Sequence, residues 1–143
     1  MLPTRIIDDH TRRSERLVNK NTILSVRDLK TEFVMDEGTA KAVAGVSFDV
    51  DRGQVVGIVG ESGCGKSVTI KSILGIVQKP GKVVAGEILF RSSPNGEMVD
   101  LRSFDDRGKE MRDIRGNEIA LIPQEPMAAL SPVHTIGNQL VEA

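Results

Sequence analysis

The stretch from Val55 to Ser67 constrains the fold of this chain more than any other part of the sequence. It begins with the apolar run Val55–Val59, whose length suits a buried parallel strand. Three glycines follow within six residues, at Gly60, Gly63 and Gly65, and a helical pattern starts after them. The stretch therefore predicts an α/β fold in which a strand, a glycine-rich loop and a helix follow one another.

The spacing Gly60-x-x-x-x-Gly65-Lys66-Ser67 matches a phosphate-binding loop. Glycine permits the dihedrals that turn N–H groups toward a polyphosphate, and the following helix adds free N–H groups and its positive dipole end. Lys66 can reach the β and γ phosphates, and the Ser67 hydroxyl is a hard oxygen ligand of the kind that Mg²⁺ prefers. The alternative is a glycine-rich turn with a chance lysine, but a chain of this length shows the bare pattern by accident only about one time in a hundred.

Composition excludes several other classes of function. The chain has 143 residues, which suggests one domain or part of a larger one, and its net charge of −1 does not indicate nucleic-acid binding. With four Phe and no Trp or Tyr, a stacking surface for single-stranded nucleic acid is not expected. Cys64 is the only cysteine, which excludes an intrachain disulfide and a thiolate metal cluster. The sequence has no membrane-length apolar run and no signal peptide, which favours a soluble cytoplasmic protein.

Two antiparallel strands are predicted before the loop. Residues 1–21 are polar and mixed in charge, and we expect a solvated lead-in there, with a docking arm as the alternative. A strand is predicted over Ile23–Val26, and Thr31–Met35 either extends it or forms another. The segment Lys41–Val50 alternates like a strand with one buried face.

After the loop, the apolar spacing over Ile70–Val77 predicts one face of an amphipathic helix, which Gln78–Gly81 would end. Similar patterns predict four further elements: a strand over Gly86–Phe90, a helix from the N-cap Ser103 to about Ile114 that stops near Gly116, a buried strand over Ile119–Ile122, and a helix over Thr135–Ala143.

A second stretch narrows the class of nucleotide-binding protein. It runs from Ile119 to Pro132, with Gln124 between two prolines, and continues with Ile136-Gly-x-Gln139-Leu. Together with the loop, it resembles the nucleotide-binding subunits of ABC transporters, and among these the oligopeptide, dipeptide and nickel importer ATPases. The most specific parts are Glu61-Ser62 in the loop, the Arg115-Gly116 pair and the run from Gln124 to Pro132. The resemblance implies a P-loop NTPase fold of the ABC ATPase type with an N-terminal antiparallel β subdomain, over residues 22–143.

The resemblance also implies roles for individual residues. Gln124 matches the Q-loop glutamine, which in the family contacts Mg²⁺ and the attacking water. Lys66 and Gln124 are therefore the expected catalytic residues, and Ser67 and Gln124 the expected metal ligands. Phe33 matches the aromatic under the adenine ring, with Val43 beside it, although Phe33 could instead be a core residue of an early strand. The residues expected to contact ATP are Phe33, Gly60, Glu61, Ser62, Gly63, Cys64, Gly65, Lys66, Ser67 and Val68.

Several family motifs lie downstream of the Q-loop and do not occur in this sequence: the Walker B aspartate, the adjacent catalytic glutamate, the signature Leu-Ser-Gly-Gly-Gln and the switch histidine. His10 and His134 are expected to be ordinary polar residues. We therefore expect the N-terminal part of an ABC ATPase, incomplete after the Q-loop and unable to turn over ATP alone. In the family the Walker B strand packs against the phosphate-loop strand, so Val55–Val59 is expected to expose an apolar edge here.

The expected function is that of the ATP-binding subunit of an ABC importer for di- or oligopeptides, which binds Mg·ATP to drive transport. Expected partners are transmembrane permease subunits, a second ATP-binding subunit and, indirectly, an extracytoplasmic solute-binding protein, at the cytoplasmic face of the cell membrane. Two alternatives stay open. One is a non-hydrolysing binding or regulatory module, or a partly folded remnant that other protein completes; the other is a soluble ABC ATPase of repair or translation. Cys64, beside a helix N-terminus and a lysine, is a candidate activated thiol.

Overall fold

An antiparallel sheet forms the main layer of the structure, a computed structural model that describes residues 19–124 and 130–142. The strand order is β2-β1-β3-β4, and every pairing is antiparallel. The strands are β1 (Thr22–Met35), β2 (Gly38–Asp51), β3 (Gly81–Phe90) and β4 (Val99–Asp100). The predicted lead-in falls mostly on residues 1–18, which lie outside the described residues.

The hairpin of β1 and β2 confirms the two antiparallel strands predicted before the loop. Met35 pairs with Gly38 across a two-residue turn, and Gly38 has a φ of 138° that favours glycine. The two stretches predicted at the start of the chain are one continuous strand. Its pairing register shifts between Val26 and Leu29, where Asp28 has a φ of 43°, so a bulge separates the two halves.

The helix after the loop, α1, spans Lys66–Ile73 and is shorter than the predicted helix. It ends in a Schellman motif: the N–H of Gly75 donates to Ser72 O at 3.1 Å, and the N–H of Ile76 donates to Lys71 O at 2.9 Å. Gly75 has a φ of 61°, which glycine adopts without strain. The prediction that the helix continues to Val77 was therefore wrong, because Gly75 ends it before the Pro80-Gly81 breaker.

The core lies between one face of the sheet and the helical segments. Its buried apolar side chains come from the sheet, α1 and the segment after β4: Val26, Leu29, Val43, Ile73, Ile88, Phe90, Leu101 and Met111. The strand predicted over Gly86–Phe90 is present but begins earlier, at Gly81, where it pairs with Phe33 of β1.

The segment after β4 differs from the predicted single helix. A 3-10 turn over Leu101–Ser103 is capped by Asp100, and helix α2 (Lys109–Ile114) begins after Gly108. Ser103 is therefore not the N-cap of α2: its hydroxyl donates to Asp100 O at 2.7 Å instead. The last helix, α3 (Ile136–Glu142), confirms the helix predicted near the end of the sequence.

Two apolar stretches that were predicted to be buried strands are neither buried nor paired in a sheet. Val55 is 96% exposed and Val59 is 92% exposed, and the segment has no strand partner among the described residues. Ile122 is 91% exposed, and the second stretch forms only an isolated parallel bridge between Arg115 and Ile119. A strand needs neighbours for its N–H and C=O groups, and neither stretch has them here. The exposure of apolar side chains expected at Val55–Val59 is thus confirmed, although the segment is not the edge strand of a sheet.

Candidate nucleotide-binding site

The glycines of the loop adopt conformations that other residues would disturb. Gly63 has a φ of 82° and Gly65 a φ of 96°, both in the left-handed region. A Cβ added at Gly65 would lie 2.3 Å from Ala42 O, so β2 backbone packs directly against the loop there. The loop therefore requires glycine at positions 63 and 65, as its sequence predicts.

The N-terminal end of α1 leaves hydrogen-bond donors available. The first helical bond runs from Thr69 N to Gly65 O at 2.8 Å, so the N–H groups of Lys66, Ser67 and Val68 have no intrahelical acceptor. Gly65 is the N-cap and has no side chain that could accept from them. The exposed Ser67 hydroxyl adds an oxygen at the same end of the helix. These groups fit an anion of the phosphate class together with a hard cation.

Lys66 closes the loop on itself. Its ammonium donates to Gly60 O and to Glu61 O, both at 2.7 Å, and lies 3.5 Å from Cys64 Sγ. An ammonium has three donors, so this side chain both fixes the start of the loop and places a positive charge inside it. These three contacts occupy its donors, so phosphate oxygens entering the loop would replace some of them as acceptors of the ammonium.

Cys64 occupies the middle of the loop and is exposed. Its Sγ would lie 2.5 Å from a Cβ added at Gly60, so the absence of a side chain at Gly60 makes room for the thiol. Glu61 and Ser62 are exposed beside it. The predicted contact set from Gly60 to Val68 is therefore contiguous in space, while its contact with ATP stays a prediction.

The two residues predicted to flank adenine, Phe33 and Val43, differ in how much of each is exposed. Phe33 is half-buried on β1, and a Cβ added at Gly81 would lie 2.6 Å from both Phe33 Cε1 and Val77 Cγ1. The ring thus lies beside the chain that follows α1. Val43 is only 4% exposed and packs in the core beneath Gly65, which leaves little surface for a ring. Stacking of adenine on Phe33 stays a prediction.

Gln124 is exposed at the end of the described stretch 119–124. Within the described residues no hydrogen bond joins its side chain to Lys66 or Ser67, and its role as a metal ligand beside Ser67 stays a prediction. Residues 125–129, which continue the predicted Q-loop run, lie outside the described residues.

Two contacts of α1 were not foreseen from the sequence. The hydroxyl of Thr31 meets that of Ser72 inside the protein, and the guanidinium of Arg115 bonds to Leu74 O and Gly75 O at the C-terminal end of the helix. Arg115 was singled out only as part of a resemblance. No local pattern could have revealed either contact, because the partners are about forty residues apart in sequence.

Comparisons with known proteins agree with the geometry of the loop. The sequence model of the family described as ABC transporter matches residues 43–141. The probable peptide ABC transporter ATP-binding protein y4tR of Sinorhizobium fredii is 48% identical over 122 residues, which cover 85% of this chain and 34% of that protein. The dipeptide transport ATP-binding protein DppD of Bacillus subtilis is 49% identical over 122 residues, with the same coverage. The oligopeptide transport ATP-binding protein AppD of Bacillus subtilis is 45% identical over 123 residues, covering 85% of this chain and 35% of that protein.

The chain thus spans about a third of the length of these relatives. The α-helices in residues 19–124 and 130–142 have six to eight residues each, and none of them could span a membrane. Because the family match covers more than half of the chain, this protein belongs to the ABC transporter family.

Proposed function

We propose that this chain carries the phosphate-binding part of an ATP-binding subunit for peptide import. The observation that supports this proposal best is the loop from Gly60 to Ser67, whose left-handed glycines, free helix N–H groups and inward ammonium form a receptor for phosphate. The peptide class follows from the relatives, which are named for peptide, dipeptide and oligopeptide transport.

In this proposal Lys66 neutralises the β and γ phosphates, and the helix N–H groups hold their oxygens. Ser67, together with Gln124, would hold Mg²⁺, which neutralises charge on the phosphates when it is bound. Gln124 would also orient the attacking water, and Phe33 would support the adenine ring. Phosphoryl transfer depends mainly on positioning and charge neutralisation, so these residues prepare ATP for hydrolysis without forming a covalent intermediate.

The proposed setting is the cytoplasmic face of the cell membrane. There the protein would act with transmembrane permease subunits and a second ATP-binding subunit, and an extracytoplasmic solute-binding protein would deliver the peptide. We propose that residues 1–143 taken alone bind Mg·ATP weakly and do not turn it over, since the Walker B carboxylates and the signature motif are not among these residues.

Equilibrium dialysis with labelled ATP and Mg²⁺, combined with a steady-state ATPase assay, tests the proposal. We expect weak binding that Lys66→Ala removes and that Lys71→Ala keeps, since Lys71 lies in the last turn of α1, away from the loop. We expect no turnover in any of the three proteins. A steady-state rate that Lys66→Ala abolishes would contradict the inactive state of the isolated chain, and binding that Lys66→Ala leaves unchanged would contradict the site.

One observation favours a second candidate function, that of a module which other polypeptide must complete. Val55 and Val59 are almost fully exposed and Ile122 nearly so, which is costly for large apolar side chains. Hydrogen exchange at the amides of Val55–Val59 separates the two candidates. Rapid exchange in the isolated chain would support the incomplete module, whereas strong protection would show that the chain forms its own sheet there.

A further inference from the structure

Arg115 joins three backbone carbonyl groups from two separate segments. Its Nε donates to Leu74 O at 2.7 Å and its Nη2 to Gly75 O at 3.0 Å, both at the C-terminal end of α1. Its Nη1 donates to Asp106 O at 2.6 Å in the segment before α2. We call these three contacts the Arg115 clamp.

The end of α1 has specific need of such a partner. The Schellman motif pairs the carbonyls of Lys71 and Ser72, whereas those of Leu74 and Gly75 receive the guanidinium. The guanidinium also places a positive charge at the negative end of the helix dipole. Gly75 leaves space for it, since a Cβ there would lie 2.8 Å from Arg115 Nη2.

A pocket adjoins this end of α1. A cavity of about 360 Å³ lies between the helix end, β3 and the segment before α2, with Gly75, Val77 and Asp106 among its lining residues. An unfilled space provides no dispersion contacts to hold the helix in place. Ile73 and Leu74 are nevertheless buried, so the polar contacts of Arg115 act together with apolar packing to hold this helix end.

The opposite end of the same helix carries Lys66 and Ser67. A helix of eight residues is only about 12 Å long, so a shift or tilt at its C-terminal end also moves its first turn. We propose that Arg115 is a positioning residue, which holds α1 so that Lys66 and Ser67 meet the nucleotide phosphates. This inference rests on the proposed ATP-binding function.

The clamp can be tested with Arg115→Met, which removes all donors, and Arg115→Lys, which keeps the charge but cannot span three carbonyls. Arg112→Met is the matched control, because Arg112 is an exposed arginine on α2, the helix that ends immediately before Arg115. Residue-resolved hydrogen exchange reports on the Ile76 amide of the Schellman motif. Fluorescence titration with N-methylanthraniloyl-ATP and Mg²⁺ reports on the loop.

We expect the Ile76 amide to exchange about fivefold faster in Arg115→Met than in the wild type, with Arg115→Lys in between. Affinity for the fluorescent nucleotide should fall about fivefold in Arg115→Met and recover partly in Arg115→Lys, and Arg112→Met should match the wild type in both measurements. If Arg115→Met does not fold, the Ile76 exchange rate and the nucleotide affinity of Arg115→Lys are compared with those of the wild type, and this comparison tests the proposal.

Equal exchange at Ile76 in all variants would overturn the clamp. Faster exchange together with unchanged nucleotide affinity would overturn the positioning role. If the wild type does not bind the fluorescent nucleotide, the proposed function fails in this chain, and the exchange rate of Ile76 alone then decides whether Arg115 positions α1.

Discussion

Thr31 Oγ1 and Ser72 Oγ lie 2.8 Å apart, and both residues are almost completely buried. Ser72 also donates its hydroxyl hydrogen to Val68 O at 2.7 Å, so Thr31 is the donor to Ser72. This pair is the buried polar link between β1 and the helix that follows the phosphate loop.

We predict that replacing the two partners of this link lowers the free energy of unfolding by unequal amounts. Thr31→Val leaves Ser72 bonded to Val68 O and should lower the free energy of unfolding by about 0.5–1 kcal/mol. Ser72→Ala leaves the Thr31 hydroxyl buried without its acceptor and should lower it by about 1–3 kcal/mol. Urea unfolding measures both. In the double variant the loss should be smaller than the sum, and strict additivity would show that the two hydroxyls do not interact.

We predict that Gly75→Ala destabilises the chain by more than about 1 kcal/mol, because alanine strains the left-handed backbone. A Cβ there would also lie 2.5 Å from Asp106 Oδ1. Gly137→Ala is the matched control: a Cβ at Gly137 meets no atom within 4 Å in the described structure, and the residue lies inside α3. That change should raise stability by about 0.5–1 kcal/mol. Thermal unfolding would contradict the account if both changes had the same sign.

We predict that the Asp100 carboxyl makes the free energy of unfolding depend on pH. Burial raises the pKa of the Asp100 carboxyl above its ordinary value of 3.8, although the N–H groups of Ile88 and Arg102 donate to it. The folded state therefore holds the proton to a higher pH than the unfolded state. Its contribution to the free energy of unfolding is complete below the ordinary pKa and is lost as the pH rises through the raised value.

Asp100→Asn removes this titration while keeping an oxygen that can accept both N–H groups. Chemical unfolding of both proteins from about pH 3 upward should show wild type losing stability relative to Asp100→Asn as the pH rises. A difference that stays constant, or that changes in favour of the wild type, would contradict the raised pKa.

Cys64 provides a chemical report on the loop. Its Sγ lies 3.5 Å from Lys66 Nζ and it is the only cysteine of the chain, so N-ethylmaleimide labels one site. We predict that Mg·ATP slows the alkylation and that prior alkylation blocks ATP binding, because the thiol lies inside the proposed phosphate receptor. Equal labelling rates with and without nucleotide would show that Cys64 lies outside the occupied site.

The sequence predicted the parts of the fold that depend on local rules. The glycines of the loop follow from backbone conformations that few residues adopt, and the helix after the loop follows from its apolar spacing. The end of α1 at Gly75 was also indicated locally, by a glycine just after the last helical residues. The helix end was instead predicted at Pro80-Gly81, because proline followed by glycine breaks a helix more strongly.

The rest depends on partners that are distant in sequence. An apolar run such as Val55–Val59 predicts a strand only if a neighbour pairs with it, and the described residues provide none. The Thr31–Ser72 link and the bonds from Arg115 to Leu74 and Gly75 each join residues about forty positions apart, which no periodicity encodes. The loop was therefore predictable in detail, whereas the contacts that hold its helix were not.

Residue-resolved NMR of the isotope-labelled chain, titrated with Mg·ATP, tests most directly whether the loop binds a nucleotide through its phosphates. We predict that the amide resonances of Gly63, Gly65 and Lys66 shift in a saturable way, that adenosine without phosphates leaves them unchanged, and that Lys66→Ala abolishes the shifts. Saturable shifts that appear only outside Gly60–Ser67, or equal shifts with adenosine and ATP, would contradict the account.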